Sequence, residues 1–215
     1  MLYIALLDYQ HLDHSFFMKS FAEAMALQKE CDGIILHGDS PYTDRLMQTG
    51  VMREEAIIRS TRDLNHRIIA LLADSGISGI GINGFQREII RKSDDDLIVK
   101  KNWLENRPAG IHLVLSNLVW NSDMKTIEPV PLSMIAEKIN KTMECNYIII
   151  FPNDEGPDHF VQKSTAPRNN YRKEMSYTVD DIPDDLIPLP EECYFCTLAE
   201  FGKLPDTTVL QKFPN

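Results

Sequence analysis

The stretch IILHGDS, residues 34–40, ends an apolar run with a histidine, a glycine, an acid and a hydroxyl. These residue types can move protons or hold an anion, since His37 titrates near neutral pH and Asp39 beside it can accept a proton. Backbone N–H groups of a turn at Gly38 and Ser40 can face a negatively charged ligand. Asp8 follows the first apolar run in the same way, so Asp8, His37 and Asp39 are candidate acid–base residues. A histidine that ends a strand is also often a hydrogen-bonded structural residue, and this alternative stays open.

A guanidinium group stands at the start of the most periodic segment of the chain. Arg53 precedes apolar residues that recur at helical intervals until the pattern stops at Gly76. The positive end of a helix dipole and a guanidinium can together hold a carboxylate. We therefore predict that Arg53, with Gly38 and Ser40, forms a binding site for a small acidic metabolite.

Three further motifs have ligand-type residues in looser arrangements. HLDH at 11–14 lacks a third partner at a defined spacing, so capping and solvent exposure explain it better than a metal site does. Cys193 and Cys196 have the C-x-x-C spacing but lie in a strand-like run rather than at a helix start, which disfavours redox chemistry. The acids at 94–96 fit the solvated tip of a hairpin. We predict no metal site and no bound cofactor.

The charge balance disfavours two classes of partner. The chain has 215 residues, with 22 Lys and Arg against 32 Asp and Glu, and a formal net charge of −10. Such a field repels nucleic acid and anionic membrane surfaces, so we predict neither as a partner. No apolar run approaches membrane-spanning length, no basic leader precedes the first strand, and the four cysteines are too scattered for a disulfide framework. These features predict a cytoplasmic protein.

Strand-like and helical segments alternate along residues 1–151. In order they are a strand at 2–7, a helix capped by Ser15, a strand at 32–38, the long helix before Gly76, a strand at 77–82, a hairpin, a long strand at 110–120, a helix opened by Ser133 and a strand at 146–151. This alternation is typical of an α/β three-layer sandwich with a mostly parallel twisted sheet.

The composition changes after the last of these strands. Residues 152–192 hold six prolines and the acidic run DDIPDD, a pattern typical of irregular structure. A strand-like run, ECYFCTLAEF, follows at 192–201. We predict an α/β domain at 1–151 and a reduced, irregular carboxyl-terminal lobe at 152–215 that ends in a strand and packs on the same domain.

The order and spacing of five segments between residue 2 and about residue 154 resemble the amino acid kinase family, most closely its acetylglutamate kinase branch. IILHGDS stands where that family has a strand ending in a His-Gly-Gly-Gly turn, and TGVMREEA where it has a substrate-binding arginine. The helix and strands that follow in the family are similar to three further segments of this chain, LNHRIIALLADSGISGIGING, GIHLVLSNLVWNSDMKTIEPV and NYIIIFPNDEG. The resemblance implies an open twisted sheet between helical layers and a homodimer formed through the first half.

The departures from the family pattern fall on its phosphate-binding and catalytic positions. Ala5 stands in place of the lysine on the first strand, and Leu7 and Asp8 in place of the glycines after it. Asp39 replaces a glycine of the second turn, and Leu132 stands near the place of the catalytic acid. The glycine-rich segment of the nucleotide lobe has no counterpart, because only two of the ten glycines lie beyond residue 110. Phosphoryl transfer depends on positioning and charge stabilisation, so these losses predict no use of ATP.

Two functions remain open at this point. In the first, the chain is a catalytically degenerate member of the family, a pseudoenzyme that binds a small acidic metabolite or a partner protein. In the second, it is an active, divergent kinase that phosphorylates a carboxylate of an acidic amino acid derivative with ATP and Mg²⁺. The missing cation would then come from Lys163, Arg168 or Arg172. A different reaction that uses the three candidate acid–base residues belongs to the same alternative.

Overall fold

A computed structural model of the chain describes residues 1–94, 96–152, 182–183 and 186–212. The basic residues Lys163, Arg168 and Arg172, like most of the proline-rich segment, lie outside these ranges.

Eleven strands form two sheets in the described ranges. They are β1 (Leu2–Leu7), β2 (Asp32–His37), β3 (Gly79–Asn83), β4 (Ile90–Ser93), β5 (Asp96–Val99), β6 (His112–Ser116), β7 (Leu118–Asn121), β8 (Thr126–Pro129), β9 (Tyr147–Ile150), β10 (Tyr194–Phe195) and β11 (Gln211–Lys212). The larger sheet has the order β11-β10-β9-β1-β2-β6-β3, and only β11 pairs antiparallel in it. The smaller sheet has the order β5-β4-β7-β8. The predicted α/β fold with a mostly parallel sheet is confirmed.

Helices cover both faces of the large sheet. They are α1 (Ser15–Leu27), α2 (Tyr42–Gln48), α3 (Arg53–Asp74), α4 (Lys101–Glu105), α5 (Leu132–Met143) and α6 (Leu198–Phe201). The predicted long helix is confirmed as α3, which ends before Gly76, a glycine with a φ of +77°. Among the helices of the described ranges, none combines the length and apolarity needed to cross a bilayer.

The core has two layers, because successive side chains of a strand point to opposite faces of a sheet. Tyr3, Ala5 and Leu7 of β1 pack in a first layer with α1, α3 and α6. Ile4 and Leu6 of the same strand pack in a second layer with α4, α5 and residues of the small sheet. The first layer and the second layer enclose the large sheet on both sides.

Aromatic rings fill the first layer beside the carboxyl end of β9. Phe151 directly follows that strand and is completely buried. Its ring centroid lies 5.6 Å from that of Phe17, 5.7 Å from that of Phe21 and 5.2 Å from that of Phe201, all three in edge-to-face geometry. Such contacts favour a closely packed and well-ordered layer.

The structure corrects one predicted strand. Residues 110–120 form two strands rather than one, β6 in the large sheet and β7 in the small sheet. Asn117 lies at the break, where its backbone N–H donates to the carbonyl of His37 at 2.9 Å and its Nδ2 donates to the carbonyl of Val130 at 3.1 Å. These hydrogen bonds hold the chain at the point where it leaves one sheet for the other.

Two predicted helix starts are also corrected by one residue. His14, not Ser15, caps α1, since its Nδ1 accepts the backbone N–H of Phe17 at 3.1 Å. Pro131 precedes α5, which begins at Leu132 instead of Ser133. The last strand-like run forms only the short β10, and Thr197 and Glu200 then build a capping box that starts α6.

Helix α3 lies against the large sheet through a glycine of β3. The side chain of Asn65 crosses Gly81, and its Nδ2 lies 3.3 Å from the carbonyl of Ile82 and 3.1 Å from the carbonyl of Val114. A methyl group at Gly81 would overlap the Asn65 carboxamide and approach Ile69 Cγ1 to 2.9 Å. The close approach of helix and strand therefore requires glycine at this position.

We predict that Gly81→Ala lowers the free energy of unfolding by about 1–3 kcal/mol, because the new methyl group displaces Asn65 from the sheet. Urea denaturation measures this loss. Gly79→Ala is the matched control on the same strand, since its methyl group would approach the flexible end of Ile69, Cδ1, to 3.1 Å and the carbonyl of His112 only to 3.6 Å. Equal losses in the two variants would contradict the proposed role of the Asn65 contact.

Candidate functional site

Polar residues gather where four neighbouring parallel strands end. In the register of the large sheet, Leu7 pairs with His37, His37 with Ser116, and Ser116 with Asn83. Asp8 follows directly after this row. In open α/β sheets the carboxyl edge is where ligands bind, so this row is the candidate site.

His37 is buried inside the site, and both of its ring nitrogens form hydrogen bonds. Its Nδ1 lies 2.9 Å from the carbonyl of Gly38, so Nδ1 carries the proton and donates. Its Nε2 then accepts from Asn65 Nδ2 at 3.0 Å. The side chain is completely buried, and this burial lowers the pKa of His37 to about 4. In this arrangement His37 is a neutral structural group, and neither nitrogen faces a substrate.

Asp8 organises the turn that leads from β1 into α1. One carboxylate oxygen accepts the backbone N–H of Gln10 at 2.9 Å and that of His11 at 3.0 Å. The other oxygen pairs with Nδ1 of His11. Asp8 is 1% exposed and His11 6%, and the imidazole of His11 stacks on Phe17 with ring centroids 3.9 Å apart. The carboxylate is therefore engaged with its own turn.

The HLDH motif consequently has three separate roles. His14 caps α1, as the capping interpretation predicts, and Asp13 pairs with Arg45 of α2. His11 was expected to be exposed and is instead buried against Phe17, which is a correction. Its partner Asp8 lies three residues earlier, outside the motif, and so the pairing is not visible from the motif alone. Among the described residues, no group of three or more acidic, His or Cys side chains is placed to hold a metal ion.

Ser40 lies in the turn that leads from β2 into α2. The buried Ser40 accepts the N–H of Tyr42 on its Oγ at 3.3 Å and that of Thr43 on its carbonyl at 2.8 Å. Gly38 lies beside Asn117, whose Nδ2 would be 3.3 Å from a Cβ at that glycine. The turn is therefore close-packed on its inner side.

Asp39 lies in the same turn, within range of the charge of Arg53. Asp39 is half-buried, and burial raises the pKa of its carboxyl group, while hydrogen bonds from Thr43 and from its own backbone and the positive charge of Arg53 oppose the rise. Arg53 is the first residue of α3, as predicted, and its side chain is exposed. The Arg53 charge also acts on Tyr9, whose hydroxyl donates to Asp44 Oδ2 at 2.9 Å. Burial, and then Asp44, raise the pKa of Tyr9 to about 12, so its hydroxyl stays protonated.

One buried polar atom beside this turn has no hydrogen-bond partner in the described part of the chain. It is Oδ1 of Asn117, next to Gly38. Buried polar atoms usually have a partner, so this oxygen is a candidate contact for a bound molecule. Sequence reasoning missed it. The polar pair at 116–117, which interrupts an otherwise apolar run, was the available signal for Asn117.

Three of the positions that depart from the kinase pattern lie in the apolar core. Ala5 and Leu7 are completely buried in the first layer, and Leu132 is buried in the second layer.

The two cysteines of the C-x-x-C spacing, Cys193 and Cys196, are buried at β10 and form no disulfide within the described residues. Burial raises the pKa of Cys193 to about 11, which disfavours a thiolate.

Comparison with known proteins shows the fold and no closer relationship. No protein-family profile and no curated protein matches the chain. The isopentenyl phosphate kinase of T. acidophilum, solved as a product complex, aligns over 100% of both chains with a TM-score of 0.59 and 9% identity. The aspartate kinase of Synechocystis aligns over 70% of this chain and 28% of its own, with a TM-score of 0.55 and 10% identity. The N-acetylglutamate synthase of Neisseria gonorrhoeae, complexed with coenzyme A and N-acetyl-glutamate, aligns over 73% of this chain and 42% of its own, with a TM-score of 0.52 and 13% identity. The chain therefore has an amino acid kinase-like α/β fold.

We predict that the stability of the protein depends on the neutral form of His37. The pKa of histidine is about 6.5 in an unfolded chain, and that of His37 is about 4 in the fold. As the pH falls, this histidine therefore takes up a proton at a higher pH in the unfolded chain than in the folded protein. The stabilising contribution is complete above pH 6.5 and is lost as the pH falls toward 4, by up to roughly 3 kcal/mol.

Urea denaturation of the wild type and of His37→Gln between pH 7.5 and pH 4.5 measures this dependence. His37→Gln should show a flatter loss of stability with falling pH, because the residue that must stay neutral is gone. His66→Gln, which replaces an exposed histidine of α3, is the control. The same pH dependence in wild type and His37→Gln would show that the burial of His37 does not govern acid stability.

Proposed function

We propose that the chain is a catalytically degenerate protein with an amino acid kinase-like fold, which binds a small acidic metabolite at the rim of its carboxyl edge. The placement of Arg53 beside Asp39 carries this proposal, because Arg53 is exposed at the start of α3. The helix dipole and the guanidinium favour an anion at the same place. Oδ1 of Asn117, which has no hydrogen-bond partner in the described part of the chain, supplies a further acceptor beside the turn.

The inner half of the site supports binding without phosphoryl transfer. Asp8 and His37 are buried and occupied by contacts within the protein, so neither is free to act on a substrate. Ala5 and Leu7 contribute only to the core, so β1 presents no cation at its carboxyl end. Phosphoryl transfer needs such a cation to stabilise the charge that is being transferred.

Asp39 gives the proposed site a pH dependence. Burial already raises its pKa, and a bound carboxylate nearby would raise it further, because like charges disfavour ionisation. Binding of an acidic ligand would then be accompanied by proton uptake at Asp39. Affinity should therefore increase as the pH falls from neutral toward the mildly acidic range.

We predict that Arg53→Ala weakens the binding of N-acetylglutamate by at least about tenfold, the usual effect of losing a charge-assisted hydrogen bond. Asp39→Asn should bind at least as tightly as wild type and should lose the increase in affinity at low pH. Isothermal titration calorimetry at pH 5.5 and 7.5 measures both effects.

Arg67→Ala removes another exposed arginine of α3 and is the matched control for total charge. N-acetylglutamine is the matched ligand, because it keeps the shape of the side chain and lacks its charge. The proposal would be contradicted if Arg53→Ala bound N-acetylglutamate as tightly as the wild type does. Equal affinity for N-acetylglutamate and N-acetylglutamine would contradict it as well.

We further predict that the chain neither binds Mg-ATP with micromolar affinity nor releases ADP. A nucleoside triphosphate would meet the carboxylate of Asp39, and each pair of like charges costs about 1 kcal/mol at 4 Å in water and more in a partly buried cleft. Calorimetric titration with Mg-ATP, with and without N-acetylglutamate, tests this together with an assay for ADP. Micromolar binding, or ADP release that depends on the acid, would favour the active kinase with a cation from the segment beyond residue 152.

A further inference from the structure

A cavity of about 290 Å³ opens on the face of the large sheet that is turned away from α3. Its apolar walls come from β3, β6 and α4, with Ile82, Leu104 and Leu113 as members of the second layer. The opposite face of β3 meets α3 through Gly81 and Asn65. The cavity is therefore separated from the proposed acid-binding site by the sheet itself.

Large apolar side chains remain open to solvent at this cavity. Trp103 of α4 is 37% exposed and Ile80 of β3 is 39% exposed, and both line the cavity. The guanidinium carbon of Arg87 lies 5.6 Å from the centroid of the Trp103 ring, which restrains the ring. A ligand that covers the indole and Ile80 would gain the free energy of removing apolar surface from water.

A cation without a counter-ion lies in the same wall. Arg107 is half-buried, and its Nη1 donates to the carbonyl of Leu104 at 3.3 Å. In the described ranges of the chain, no carboxylate lies within ion-pair distance of its guanidinium group. An anionic ligand could occupy the remaining donors, and a partly desolvated guanidinium binds a carboxylate more strongly than an exposed one does.

The side chain of His112 lies on the other face of the sheet, because its Nδ1 accepts the backbone N–H of Gly33 at 3.0 Å on the side where Tyr3 packs in the first layer. The cavity thus combines one apolar wall with one cation.

We propose that this cavity binds a small aromatic carboxylate, with its ring against Trp103 and Ile80 and its carboxylate on Arg107. The volume lies at the lower limit for ligand pockets, which selects a single-ring molecule over a nucleotide. The apolar walls select against small hydrophilic anions, because these would leave Trp103 and Ile80 uncovered. The cavity uses no residue of the carboxyl edge, so the proposal does not depend on the function proposed above.

Phenylacetate and phenylacetamide are the matched probes, since they share a ring and differ in charge. Titration of the ¹⁵N-labelled protein, followed by the indole N–H signals in NMR, reports the binding locally. The chain has two tryptophans, so a Trp120→Phe variant assigns the signal of Trp103. We expect a saturable shift of the Trp103 signal with phenylacetate and affinity at least about tenfold weaker for phenylacetamide, the usual value of one charge-assisted hydrogen bond.

Arg107→Met should abolish the preference for the acid over the amide, and Arg107→Lys should retain part of it. Lys101→Met removes a cation of α4, the helix that precedes Arg107, and Lys101 does not line the cavity, so this variant should leave the preference unchanged. Thermal melting checks that each variant is folded. The absence of a saturable Trp103 shift with phenylacetate would overturn the proposal, as would a preference that survives in Arg107→Met.

A further titration separates this cavity from the site at Arg53. Phenylacetate should shift the Trp103 signal to the same extent at saturating N-acetylglutamate, because the sheet lies between the two sites. Competition between the two acids would show that phenylacetate binds at the carboxyl edge, which would overturn the proposal. Failure of N-acetylglutamate to bind at all would refute the function proposed above and leave the result with phenylacetate intact.

Discussion

One buried carboxamide links the long helix, two strands and the candidate site. Asn65 reaches from α3 across Gly81, and its Nδ2 lies within hydrogen-bond distance of the carbonyls of Ile82 and Val114 and of Nε2 of His37. An unpaired polar group at such a depth would cost about 1–3 kcal/mol, so these contacts strongly favour a single position of the helix on the sheet. The position of Arg53 depends on this arrangement, because Arg53 begins the same helix.

The same network determines how the carboxyl edge of the sheet can be used. His37 accepts the Asn65 carboxamide on one ring nitrogen and donates to the carbonyl of Gly38 from the other. Asn117 packs on the inner side of the turn and donates to the carbonyl of Val130. Groups that would be reactive in an open cleft therefore serve as internal hydrogen-bonding groups. What remains accessible is the rim, where Asp39 is half-buried and Arg53 is exposed. Among the described residues, His37 and Asp8 at the centre of this edge are both engaged in contacts within the protein.

Periodicity and turn chemistry were sufficient to predict the parallel sheet, α3 with its end before Gly76, and the position of Arg53 at a helix start. These features depend on which residues are buried along one element, and that information is local. The break at Asn117 and the burial of His11 were not predictable in this way, because each depends on a partner from elsewhere in the fold or outside its own motif. The contact of Asn65 with Gly81 was not predictable either, because the sequence around a polar helix residue does not show which strand residue it will face.

The first strand shows why the lost cation cannot be restored by one substitution. Ala5 lies in the first layer without any exposed surface, so a lysine there would have to bury its ammonium group, which costs several kcal/mol when no partner is present. The next charged position, Asp8, is buried at a lower cost because two backbone N–H groups and His11 surround its carboxylate. The edge is thus organised around an acid whose carboxylate accepts hydrogen bonds from its own turn, whereas phosphoryl transfer would need a cation aimed outward. Among the described residues at this edge, Arg53 at the start of α3 is exposed, and this position would suit the proposed binding of a carboxylate at the rim better than chemistry at the end of β1.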